Sequence, residues 1–161
     1  MGISDTVDFA LTLTEVDFHV LRHRTSNTSL ETARRAGVDG DKLAKAVALL
    51  DDVGPLLVVI PASRSVDVHR LRGVLHRPGL RLMTEQELDD VFYDCDRGAV
   101  PPLGPEYRVP TVLDHRLTEQ ADVYFEAGDH VELVHVSATS FQKLMRGAET
   151  LDCSIAALHP D

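Results

Sequence analysis

The sequence predicts one α/β domain built on a mixed sheet. Strand-length apolar runs alternate with short helical segments that open on Ser, Thr or Asp caps. Turn residues join several of the runs as hairpins, and no chain of βαβ units is present, which argues against an all-parallel sheet. With 161 residues, 43% hydrophobic and 26% charged, the chain can bury one core, so a single soluble domain is expected.

The elements follow in order. Val16-Asp17-Phe18-His19-Val20 alternates apolar and polar residues and predicts a first strand running toward His23. Thr28 and Glu31 make a capping box for a helix over 28–36, with Gly37 as its stop. The runs Leu43 to Leu50 and Leu56 to Ile60, joined across Asp51-Asp52-Val53-Gly54-Pro55, predict a hairpin. Asp67 caps a helix bearing Val68, Leu71, Val74 and Leu75 on one face and ending at Pro78-Gly79. Leu80 to Met83 is a short strand. Thr84 and Glu87 then cap a helix with Leu88, Val91 and Phe92 inward. Strands are expected at Val109 to Leu113, Asp122 to Glu126 and His130 to Val136. Ser140 caps a last helix with Phe141, Leu144 and Met145 inward, stopped at Gly147. The domain is read as 1–147, its core starting near 16, with 148–161 as a loosely patterned tail.

Composition narrows the function. The net charge of −10 argues against a protein that coats nucleic acid, but the charge is uneven. Residues 1–21 hold four acids and no Lys or Arg; 22–81 hold eleven Lys/Arg against six acids; 82–161 hold five against sixteen. The basic first half suits docking one end of a nucleic acid better than tracking along it. Aromatic residues are only 5% and Trp is absent, which argues against a base-stacking platform. Cys95 and Cys153 fit neither a disulfide framework nor a zinc pattern, so a reducing cytoplasm is expected, with no membrane span and no secretory leader.

The common catalytic signatures are missing: no G-x-S-x-G elbow, no Walker A, no Rossmann glycine pattern and no H-E-x-x-H. His19 and His23 stand four apart without the Glu a zincin needs. Cys95 lies between two aspartates, which raise a thiol pKa and make a poor nucleophile. Two features remain. Lys45 sits inside an apolar strand, sharing a face with Val47 and Leu49, where an ammonium is costly unless an anion meets it; an edge-strand lysine snorkelling to solvent is the plainer alternative. The stretch Asp94 to Gly104 has two consecutive prolines bracketed by Gly98 and Gly104. It predicts a rigid loop with spare N–H groups at Gly98, Ala99 and Val100, one way to build an oxyanion site.

Taken together, Ala44-Lys45 before an aliphatic hairpin, Gly98-Ala99-Val100-Pro101-Pro102-Leu103-Gly104, the step Val112-Leu113-Asp114 and Ala127-Gly128-Asp129-His130 resemble the YbaK/EbsC family. These are aminoacyl-tRNA deacylases, similar to the editing insertion of bacterial prolyl-tRNA synthetases. The resemblance runs from about Val16 to Gly147 and implies a mixed, curled, barrel-like sheet surrounded by helices. It implies a free-standing editing hydrolase that cleaves the ester of a mischarged tRNA, with Ala- or Cys-tRNA(Pro) as the first expectation. Lys45, Gly98 and Ala99 are then the catalytic candidates. Thr28, Ala46, Pro101, Pro102, Gly104, Asp114, Gly128 and His130 are the substrate-binding candidates. The family often carries Thr or Asn where this chain has Ala46, so a polar contact expected there is absent. No metal and no organic cofactor is implied. The implied partners are the tRNA acceptor end and prolyl-tRNA synthetase, not DNA and not a membrane. A catalytically inactive binding or regulatory module on the same fold, and an enzyme acting on another small ester, are the alternatives.

Overall fold

The computed structural model describes residues 3–23, 28–96 and 98–157. Its first element is one the sequence reading left out, the helix α1 (Asp5–Leu13). Ser4 caps it by accepting the Val7 N–H, and Val7, Ala10 and Leu11 form its buried stripe. Because α1 and the turn at Glu15 use the residues before Val16, the first strand starts later than expected, as β1 (His19–Arg22). Phe18 and Val20 are 37% and 43% exposed, since β1 is an edge strand paired only with β8.

The expected helix at 28–36 is α2 (Ser29–Ala36), capped by Thr28 and ended by Gly37 at φ +70, where a glycine pays no Cβ penalty. The hairpin is β2 (Leu43–Leu50) and β3 (Pro55–Pro61), antiparallel, with Lys45 opposite Ile60. There follow β4 (Arg64–Val66), α3 (Val68–Val74), β5 (Arg81–Leu82) and α4 (Glu85–Val91), whose Thr84/Glu87 capping box is complete. After the central loop come a 3₁₀ turn (Gly104–Tyr107), β6 (Thr111–Asp114), α5 (His115–Thr118), β7 (Asp122–Glu126) and β8 (Glu132–Ser137). The last helix, α6 (Ala138–Leu144), is capped by Ser137 rather than Ser140: Ser137 is extended and accepts the Ser140 N–H, which puts Ser140 inside the first turn.

The tail is patterned over its described residues through 156. It forms β9 (Glu149–Leu151), parallel to β6, and β10 (Ser154–Ala156), antiparallel to β4, with Cys153 fully buried between them. The main sheet is mixed, in the order β1-β8-β7-β2-β3-β6-β9 with β5 on the end of β2. Among the described residues its ladder does not close, so β1 and β9 stand at its two ends.

Alternation explains the three hydrophobic clusters. Ala44, Ala48, Leu57, Val59, Leu113, Val123, Phe125, Val134 and Val136 face the main core with α1, Phe92, Leu103 and Phe141. The opposite face carries a cluster under α3 around Leu49, Val58, Ile60 and Leu71, and another under α2 around Ala33, Leu43, Ala62 and Leu133. β3 reads as an unbroken apolar run because both of its faces are covered. None of the described helices is long and apolar enough to cross a membrane.

Candidate active site

Strand register sets the first part of the site. β2 runs parallel to β7, with Leu43 beside Tyr124 and Ala44 beside Phe125. Lys45 follows directly on the paired Ala44, as Glu126 does on Phe125 in β7. The half-buried Lys45 ammonium donates to the Arg64 carbonyl at 2.9 Å. Arg64 is itself pinned: its Nε donates to Ser154 Oγ at 2.8 Å and its Nη2 to the Ser154 carbonyl at 3.0 Å. The Ser154 hydroxyl donates in turn to Asp114 Oδ2 at 2.6 Å.

Asp114 therefore anchors the Ser154–Arg64 chain that reaches Lys45. It is fully buried and accepts from the Arg116 N–H at 2.9 Å while pairing with the Arg116 guanidinium. Burial alone raises its pKa, but the Ser154 hydroxyl and the Arg116 contacts outweigh that and hold it below the ordinary carboxylate value.

The central loop is the second part. Gly98 has φ +81 and lies at the surface, and a Cβ placed on it comes within 3.2 Å of His130 Cε1. The loop and the His130 turn are thus in contact. The Ala99 N–H is not spare: it closes a turn onto the Asp96 carbonyl at 3.1 Å, because the reversal at Gly98 folds the chain back on itself. Among the described residues the Gly98 and Val100 N–H groups have no acceptor. Pro101, Pro102 and Gly104 are buried and act as the loop's footing; Gly104 packs against the Thr111 side chain and the Val109 carbonyl, where a Cβ has no room.

Gly128, at φ +106, is pressed against Ser4, whose Cβ is 2.8 Å from where a Gly128 Cβ would stand. Its carbonyl accepts the Asp96 N–H at 2.8 Å, and the Ala127 carbonyl accepts the Ser4 N–H at 2.8 Å. Thr28 uses its hydroxyl as the α2 cap, accepting from the Glu31 N–H at 3.1 Å. Ala46 packs against the main core, on the face of β2 opposite Lys45.

One residue of this region had no part in the sequence reading. Glu126 is 5% exposed and its carboxyl meets Thr32, while its Oε2 has no hydrogen-bond partner. Burial, with the nearby Asp129 charge adding to it, pushes its pKa up to about 8 against the Thr32 hydrogen bond. Asp129 accepts the Val131 and Glu132 N–H groups with one oxygen and leaves Oδ2 unpartnered. A Glu directly after the run Val123-Tyr124-Phe125 was the available signal. Cys95 is a poor nucleophile here, its thiol pushed up to about 12 chiefly by burial and also by the Asp94 charge.

The profile of the aminoacyl-tRNA editing domain matches residues 23–144, a span that holds Thr28, Lys45, the 98–104 loop, Asp114, Gly128 and His130. The chain belongs to the aminoacyl-tRNA editing domain family. No curated protein matches it significantly. Among solved structures it is similar to a candidate trans-editing enzyme for prolyl tRNA synthetase, at 21% identity and a TM-score of 0.77, covering 96% of this chain and 100% of the other. The hypothetical protein APE2540 matches at 22% identity and TM-score 0.80, over 94% and 100%. A candidate signal transduction protein from Marinobacter aquaeolei VT8 matches at 23% identity and TM-score 0.75, over 96% of this chain but 31% of that one. Identities this low establish the shared fold. Outside the matched span lie α1, β1 and the β9–β10 tail.

Proposed function

We propose that this editing domain hydrolyses the ester linking a wrong amino acid to the terminal ribose of a tRNA. The observation that carries this reading is the Gly98 reversal, which brings the loop bearing the uncommitted Gly98 and Val100 amides against His130. Water adds to the ester carbonyl, and the oxyanion that forms is stabilised by those two amides, fixed in place before the reaction. The acyl–oxygen bond then breaks, and the ribose oxygen leaves with a proton. Lys45, held by the Arg64 carbonyl, anchors the terminal phosphate or ribose and does not act as a base. Gly128 and His130 line the acyl pocket, and a ribose hydroxyl of the substrate helps activate the water. With Ala99 closed onto Asp96, the catalytic donors are Gly98 and Val100.

Selection against the correct amino acid works by size in such a pocket. Ala-tRNA(Pro) and Cys-tRNA(Pro) are the proposed substrates, and prolyl-tRNA synthetase the enzyme whose errors are cleared. Deacylation rates measured side by side on Ala-, Cys- and Pro-tRNA(Pro) test this: the first two should be cleaved and the third spared. Equal rates on all three would remove the size-selection part of the reading.

A further inference from the structure

The two ends of the central loop are tied to each other. Tyr107, just after the loop, donates its hydroxyl to Asp94 Oδ1, just before it, at 2.7 Å. Asp94 Oδ2 accepts the Thr6 N–H at 3.0 Å in the first turn of α1, where the helix leaves its amides unpaired. Burial opposes the Asp94 charge, but the hydrogen bonds from Tyr107 and Thr6 overcome it and keep its pKa below the ordinary value. The Tyr107 phenol, pushed far up by burial, stays a neutral donor. Ser4 completes the circuit. Its hydroxyl reaches both Tyr107 and Cys95, its N–H binds the Ala127 carbonyl, and its side chain rests on Gly128.

We propose that Asp94 and Tyr107 are positioning residues for the hydrolysis: joined across the loop and locked to α1, they hold the Gly98 and Val100 amides in register with the Gly128–His130 turn. The inference rests on the deacylase reading of that site. Packing does not account for the hydroxyl, because the Tyr107 ring already stacks edge-on against Phe92 at 5.0 Å and Tyr93 at 6.1 Å. Neither residue faces the reacting atoms. Their effect is on orientation, where a displacement of about an ångström is worth roughly a hundredfold in rate.

The test compares wild type with Tyr107→Phe, Asp94→Ala and the double variant in two measurements. In single-turnover and steady-state deacylation, each single variant should lower kcat roughly tenfold or more with KM for the aminoacyl-tRNA within about twofold, and the double variant should be no worse than either. Asp94→Asn, which keeps one acceptor oxygen, should recover part of the loss. In amide hydrogen exchange, the Ala99 N–H, which is bonded to the Asp96 carbonyl, should exchange roughly tenfold faster in the variants while β2 and β3 keep their protection. Unchanged kcat, or a loss of protection spread equally over β2 and β3, would overturn the strap. If wild type cleaves no aminoacyl-tRNA, the deacylase reading fails instead, and the exchange at Ala99 still decides whether Asp94 and Tyr107 order the loop.

Discussion

Glu126 is a carboxyl kept mostly neutral near pH 7, since its pKa of about 8 lies above the ordinary 4.5. Between those values the folded protein holds a proton that the unfolded chain has released. The stability tied to it is therefore full below pH 4.5 and lost as pH rises through 8, with a slope of up to about 1.4 kcal/mol per unit. Denaturant unfolding at pH 5 and at pH 8.5 should show wild type losing stability across the interval and Glu126→Gln losing clearly less; parallel losses would place the titration elsewhere. This residue was hard to read for a physical reason. Asp122, Tyr124 and Glu126 share a face by period two, and Asp122 stays half-exposed with Lys42 at 2.6 Å and His135 at 2.7 Å. Only the helix α2, lying over the other end of that face, turns the third into a buried acid. Lys45, by contrast, was visible because an ammonium inside an apolar run has no packing reason to be there.

At the scale of elements, helices with a cap three residues ahead of an acid and strands bounded by turn residues were legible, as in α2, α4 and the β2–β3 hairpin. The elements missed were short and depend on distant partners. β9 and β10 hold three residues each and exist because β6 and β4 offer them open edges. The prolines and glycines of the loop were legible, but which of its amides were free depended on the turn that bonds Ala99 to Asp96. The tail carries weight in the fold: Ser154 satisfies Asp114 and fixes Arg64, whose carbonyl receives Lys45. Deleting the chain from Glu149 onward leaves Asp114 buried with Ser154 and Cys153 gone, a loss expected to cost about 3 kcal/mol or more. Thermal unfolding of that truncation should show a much lower Tm, and an unchanged Tm would mean that the tail only decorates the sheet.

For the whole molecule, the uneven charge survives folding in part. Of the basic residues in the first half expected to meet tRNA, Arg35 pairs with Glu31 at 2.5 Å and Lys42 with Asp122 at 2.6 Å, so their charge is already matched. Arg34 is exposed on α2 and has no ion pair among the described residues. If the α2 face docks the acceptor end, Arg34→Gln should reduce the salt dependence of tRNA binding by close to one counterion, read as the slope of log affinity against log salt. An unaltered slope would put the docking surface on another face. The mixed sheet and its two covered faces were readable from periodicity, whereas the order of strands, with β7 and β8 inserted between β1 and β2, required the tertiary pairing.

The central claim joins Lys45 on β2 to the amides of the 98–100 loop in one hydrolytic site. Its most direct measurement is deacylation of a full panel of aminoacyl-tRNAs by purified wild type and by Lys45→Ala of matched thermal stability. The account predicts that wild type clears at least one mischarged tRNA and that Lys45→Ala clears none. A panel left intact by wild type, or cleared equally well by both proteins, would contradict it.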